Sequence, residues 1–203
     1  KTLPGWYYTS DEQFRNELET VLEHGWHCLG RSDEIPTPGD YLTANILNEP
    51  MIVVRGQDGG VRALSTICRH RAMPLVQGAG STKRFLGQYH AWSYRLDGSL
   101  LRAPHMENDG FDPESCRLPE FRCCEWNGFI YVSLSDTPKP IDAALKRLDS
   151  LIRAYEPEQY EIVHSEEEIW HCNWKCLVEN FMEGYHLSVV HPKTLRGYTP
   201  TEL

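Results

Sequence analysis

Two groups of side chains in this sequence have the types and spacing of metal chemistry. The first is Cys68-Arg69-His70 together with His90, which closes the run Gly87-Gln88-Tyr89-His90. A soft thiol and two imidazoles are transition-metal ligands, and three such donors suffice for a zinc ion with water as the fourth ligand. Taken singly, each residue reads as a loop histidine or a small buried thiol. The second group is Glu183, His186 and His191-Pro192. Two imidazoles five residues apart on a regular helix stand about 140° apart, so the chain must loosen between them before both can reach one metal. Pro192 favours this, because the residue before a proline is pushed out of the α region. The plainer alternative is a solvated helix face carrying Glu179, Glu183 and His186, with Lys175 and Glu179 as an ordinary i,i+4 pair.

The elements that must position these residues follow from periodicity and turn chemistry. Ser10 with Gln13 forms a capping box, and Phe14, Leu18, Val21 and Leu22 recur at helical spacing, predicting a helix over residues 11–24. From Asp40 to Leu134 the pattern changes to short strands: Tyr41–Asn45, Met51–Arg55, Val61–Ser65, Phe85–Tyr94 and Phe129–Leu134. Gln57-Asp58-Gly59-Gly60 and Asp97-Gly98 are hairpin turns between them. Thr137-Pro138-Lys139-Pro140 ends this all-β module, and Ile141, Leu145, Leu148 and Ile152 form the stripe of a following helix. A strand-like run, Tyr160–Trp170, leads into a second amphipathic helix near Asn173, whose Trp174, Leu177, Val178, Phe181 and Tyr185 share a face that reads as core.

Composition bounds the partners. The net charge of -9, from 29 acidic and 20 basic residues, and the absence of a basic run argue against nucleic acid. No apolar stretch approaches the roughly 18 residues of a membrane span, so no membrane partner is expected and a cytoplasmic setting is. Seven cysteines at irregular spacings predict reduced thiols, not a disulfide framework.

Cys68-x-His70 and Tyr89-His90-x-Trp92-x-Tyr94-x-x-Asp97-Gly98 resemble the two cluster-binding loops of Rieske-type non-haem iron oxygenase large (alpha) subunits, the ring-hydroxylating oxygenases. The run Asn173-Trp174-Lys175, Glu179-Asn180-Phe181-x-Glu183-x-Tyr185-His186 and His191-Pro192 resembles that family's iron-binding segment. The resemblance implies an α+β chain in three parts. An N-terminal helix, residues 1–38, belongs to the catalytic domain; residues 39–137 form an all-β Rieske [2Fe-2S] module; residues 138–203 begin a helix-grip catalytic domain that is truncated.

By the same resemblance Cys68, His70 and His90 bind a [2Fe-2S] cluster, and His186 and His191 bind a mononuclear Fe(II). Imidazoles in place of two thiolates raise the potential of such a cluster to about -150 to +300 mV. Glu183 matches the carboxylate that carries electrons between subunits, and Asn180 a polar residue near the iron. The implied partners are a ferredoxin or flavin reductase, dioxygen, a small organic substrate and two further copies in a homotrimer. Both mono- and dioxygenation stay open, as do aromatic hydrocarbon catabolism and demethylation of a quaternary amine.

Two departures from the family pattern stand out. Gly87 occupies the second loop's cysteine position, and Cys123 or Cys124 are weak candidates to replace it. No carboxylate other than Glu202 follows His191 to serve as third iron ligand. The alternative function is therefore a non-catalytic, degenerate Rieske-domain protein that acts in binding or assembly.

Overall fold

A computed structural model describes residues 2–106 and 110–199; Glu202 lies outside them. The first half runs α1 (Trp6–Thr9), α2 (Asp11–Glu17), β1 (His27–Arg31), β2 (Asp40–Ile46), β3 (Glu49–Arg55), β4 (Val61–Ser65), β5 (Ala79–Ser81) and β6 (Phe85–Leu86). It continues through β7 (Ser93–Tyr94), β8 (Leu100–Arg102), β9 (Glu120–Trp126), β10 (Phe129–Ser133), α3 (Ile141–Ile152), α4 (Trp174–Met182) and α5 (Leu187–Val190). Two compact units result, residues 20–165 and residues 1–19 with 166–203.

The larger unit is built on a seven-stranded sheet of order β1-β10-β9-β4-β3-β2-β5 and a three-stranded sheet of order β6-β7-β8. All its pairings are antiparallel. The β9–β10 hairpin turns on Asn127 and Gly128, both at positive φ (49° and 79°), as a tight turn matched to strand twist demands. β3 reads as an unbroken apolar run because both its faces are covered. Ile52 and Val54 join a core with Leu64, Cys68, Leu75, Phe85, Trp92 and Tyr94, while Met51 and Val53 join two clusters that hold Ile35, Ile130 and Val132. Arg55 crosses the sheet to Glu125 through two hydrogen bonds of 2.9 and 3.0 Å.

The expected strand Phe85–Tyr94 is two short strands with a loop between them. Gly87 N–H donates to Trp92 O (2.7 Å) and Ala91 N–H to Gly87 O (3.0 Å), closing a turn in which Ala91 takes φ 56°. A left-handed residue cannot continue a strand. The strand expected just before Trp126 is β9, a polar and cysteine-rich string between β4 and β10, while β1, β5 and β8 are strands that the sequence reading did not name.

In the smaller unit Ser10 caps α2 by accepting from Gln13 N–H (3.2 Å). The expected helix over residues 11–24 tightens only to Glu17 and then widens into a π turn, Leu18–Leu22. Tyr160–Trp170 forms no strand. The face of α4 expected as core is largely open: Phe181 is 74% exposed and Tyr185, beyond the helix, 74%.

Candidate metal centres

The first constellation rests on two loops with the same backbone frame. In one, Cys68 N–H donates to Met73 O (2.9 Å), Ala72 N–H donates to Cys68 O (3.1 Å), and Ala72 takes φ 55°. In the other, Gly87, Ala91 and Trp92 repeat each of those three features. Gly87 is therefore the structural counterpart of Cys68. Within these frames His70 and His90 meet edge to face, 4.4 Å between ring centroids, and His70 stacks on Trp92 at 4.8 Å. Burial, with His90 and Arg71 nearby, holds the His70 imidazole below its ordinary pKa and so favours its neutral form.

A crevice of about 10 Å³ lies between the loops, lined by Cys68, His70, Arg71, Met73, Gly87, Tyr89, His90 and Trp92. Cys123 and Cys124 do not line it. Cys123 packs into the clusters of Met51 and Val53, and burial pushes its thiol up to about 12, leaving a packed hydrophobe instead of a ligand. Among the described residues no three His, Cys, Asp or Glu side chains gather closely enough to hold a metal ion, at this constellation or at the second.

Tyr94 is the residue here whose role the sequence did not reveal, although it lies within the motif. Its buried hydroxyl accepts from Arg69 N–H (3.1 Å) and lies 3.4 Å from Cys68 Sγ. Burial raises its pKa well above the usual phenol value, so the O–H stays protonated and can donate to sulfur. Tyr94→Phe strands the Arg69 amide and is expected to destabilise the larger unit by about 1–2 kcal/mol in urea denaturation. A loss below about 0.5 kcal/mol would show that water replaces the hydroxyl.

The second constellation departs from the helix read in the sequence. α4 ends at Met182 and Glu183 is extended (φ -121°, ψ 146°), so Glu183 and His186 do not share a helical face. The Glu183 carboxylate instead organises a turn, accepting from Tyr185 N–H (2.5 Å), from His186 N–H (3.3 Å) and from His186 Nδ1. The His186 imidazole and these amides hold Glu183 below the usual carboxylate range. A carboxylate on Nδ1 fixes the tautomer and leaves Nε2 with its lone pair free. The short helix α5 then ends at Val190, and His191, before Pro192, leaves the α region (φ -116°, ψ 50°). This loosening brings the His186 and His191 rings to 5.5 Å between centroids. Asn180 is exposed on the last turn of α4.

The start of α4 is anchored by a network that local sequence spacing did not reveal. Lys175 pairs with Glu17 (2.5 Å), not with Glu179, and both side chains are buried. Glu17 also accepts from Trp174 Nε1 (3.0 Å) and Gln13 Nε2 (2.8 Å). Asn173 caps α4 by accepting from Lys175 N–H and donates to Tyr8 O, while the Tyr8 hydroxyl takes Glu179 (2.7 Å).

Comparison with known proteins matches residues 25–122 to a family described as the Rieske [2Fe-2S] domain and residues 151–203 to the ring hydroxylating alpha subunit (catalytic domain). The glycine betaine monooxygenase oxygenase subunit of Chromohalobacter salexigens is 36% identical over 97% of this chain and 44% of its own length. The carnitine monooxygenase oxygenase subunit of Escherichia coli K12 is 32% identical over 94% of this chain and 52% of its own. The chain thus spans about half the length of these curated relatives. A crystal structure of the apo form of the quaternary ammonium Rieske monooxygenase CntA superposes with a TM-score of 0.88 at 29% identity, covering 94% of this chain and 57% of that one. Naphthalene 1,2-dioxygenase with indole bound gives 0.81 at 31% identity, covering 92% and 44%. Both family matches fall in the chain order that the two motifs require, with one constellation inside each, and the chain belongs to the large subunits of the Rieske-type non-haem iron oxygenases.

Proposed function

We propose that this chain is the N-terminal part of an oxygenase subunit that oxidises a small quaternary amine with dioxygen. The observation that carries the reading is the joint presence of the paired loops around Cys68, His70 and His90 and of the Glu183-ordered pair His186 and His191. The relatives named for glycine betaine and carnitine favour monooxygenation of that substrate class over aromatic dioxygenation.

The two cofactors of the family fare differently against these residues. For the [2Fe-2S] cluster the loop frames fit and the donor set does not: Cys68, His70 and His90 are three ligands and Gly87 offers no side chain. No electron-transfer step is assigned to this site as it stands. For the mononuclear iron, His186 and His191 are the fitting donors, and Glu183 orients the first of them. A bound iron would supply dioxygen activation there. Glu183, already committed to His186 Nδ1, serves to hold that ring and its proton, and Asn180 is the polar neighbour proposed beside the iron.

A ferredoxin or flavin reductase as electron donor, a homotrimer and a cytoplasmic setting complete the proposal, as do the three domain segments read from the sequence. No helix among the described residues is long and apolar enough to cross a membrane. The test is reductase-coupled oxygen uptake by the full-length protein carrying Gly87→Cys. Carnitine, glycine betaine or choline is expected to stimulate uptake with formation of the oxidised amine; stimulation by naphthalene alone overturns the substrate class. Gly87 supports a second reading, a binding or assembly module without catalysis. It predicts that the protein with Gly87 stays colourless and shows no reduced-state EPR signal after reconstitution with iron and sulfide; a Rieske spectrum rules it out.

A further inference from the structure

We propose that a cavity within the smaller unit is a binding site for a small organic cation, an alkylated ammonium or a protonated amine. The proposal is independent of both metal constellations and goes beyond the oxidation proposed above.

The cavity measures about 480 Å³, within the roughly 300–1,000 Å³ of small-molecule sites, and its lining comes entirely from residues 1–19 and 166–203. Four aromatic rings wall it: Tyr8 of α1, Phe14 of α2, Trp170 of the irregular segment before α4, and Trp174 at the start of α4. Asp11 and Glu168 are the only charged side chains among the described residues that line it. Asn180, Glu183, His186 and His191 are not part of the lining.

The walls are set by contacts within the unit. The Tyr8 hydroxyl donates to Glu179 (2.7 Å), Trp174 Nε1 donates to Glu17 (3.0 Å), and Asn173 Nδ2 ties the start of α4 to Tyr8 O (3.2 Å). Trp170 Nε1 donates to Glu168 (3.2 Å), which places an indole beside a carboxylate. The polar atoms of these three aromatic residues are thus engaged, and recognition is left to their ring surface. Phe14 is 40% and Trp170 50% exposed, so the cavity is reached from solvent.

The lining selects the charge and the covering of an occupant. Ring faces attract cations through their quadrupole, tryptophan most strongly. Two of these rings already hold one: Lys175 Nζ lies 5.3 Å from the Trp174 ring centroid and 5.7 Å from that of Tyr8. Glu17, at 2.5 Å, offsets the charge of that ammonium, so its repulsion of a second cation is small. Asp11 and Glu168 disfavour an anion. A bare inorganic cation leaves the aromatic surface unfilled, whereas alkyl groups on a cationic nitrogen cover it.

The test is proton NMR of choline and of its neutral isostere 3,3-dimethyl-1-butanol, each titrated with the chain at neutral pH and low salt. The methyl signal of choline is expected to broaden saturably, and the isostere to bind about tenfold more weakly. Trp170→Ala, and separately Asp11→Asn with Glu168→Gln, are expected to weaken choline binding by about tenfold. These three side chains are exposed, so circular dichroism is expected to stay unchanged. His186→Ala with His191→Ala is expected to bind choline like the parent. Absence of broadening, or equal affinity for the isostere, overturns the proposal. So does binding that the histidine pair abolishes and the cavity variants leave intact, which would assign the cation to the proposed iron site.

Discussion

Gly87→Cys is expected to convert a protein that holds no Rieske cluster after reconstitution with iron and sulfide into a brown one with Rieske absorption. The change is all or none, because a two-iron centre with a thiolate missing has one iron with half its protein sulfur, and a backbone carbonyl is a poor substitute at an iron bridged by sulfide. The backbone frame of the second loop matches that of the first. The added Cβ meets Trp92 O at 3.3 Å and Cys68 Sγ at 3.4 Å, so the loops need to part by only a few tenths of an ångström. Tyr94, His70 and His90 are already in place. The two thiols would face each other closely enough for oxidation to compete, so the measurement must be made reduced and anaerobic. A folded Gly87→Cys protein that stays colourless would mean that the paired loops are a relic of the family's frame.

Lys175→Ala is expected to destabilise the smaller unit by about 3–5 kcal/mol, because it leaves the Glu17 carboxylate buried without its cation. The two side chains are 9% and 7% exposed, and the 2.5 Å contact is reinforced by Trp174 and Gln13. Unfolding in urea followed by tryptophan fluorescence measures the loss. The paired replacement Glu17→Leu with Lys175→Met is expected to recover much of it, since apolar residues of similar size carry no desolvation cost. If the double variant is no better than Lys175→Ala, the contact matters through packing and not charge.

The same network sets a pH dependence. Burial alone would raise the Glu17 pKa, but Lys175, Gln13 and Trp174 outweigh it and the net shift is downward. The unfolded chain therefore binds this proton first as pH falls. The stabilisation is complete above the ordinary carboxylate value and is lost as pH drops through the lower folded value. In Glu17→Gln that portion of the acid profile is expected to flatten.

The clamp bears on function through α4. It fixes the start of the helix whose end delivers Glu183 and His186, so a loss there is expected to loosen the proposed iron ligands without touching them. Lys175 was read locally as the partner of Glu179 because i,i+4 spacing is visible in a sequence. A partner 158 positions away is not.

By itself the sequence determined the family and pointed to candidate donors in that family's order. Cys68, His70, His90, His186 and His191 are legible because metal chemistry restricts residue type and spacing, and Gly87 is legible as the missing donor for the same reason. Strands β2, β3, β4 and β10 were visible from their apolar runs between turns. Other features depended on contacts between distant segments. The matching hydrogen bonds of the two loops, the burial of Tyr94 against Cys68, the closing of α4 at Met182 and the seating of Lys175 on Glu17 have no signature in local periodicity. The Tyr94 and Lys175 contacts arise because a buried polar group must be paired and finds its partner wherever the fold brings one. Sequence pointed to the candidate donors; only the tertiary structure showed that the backbone frame around Gly87 repeats the one around Cys68.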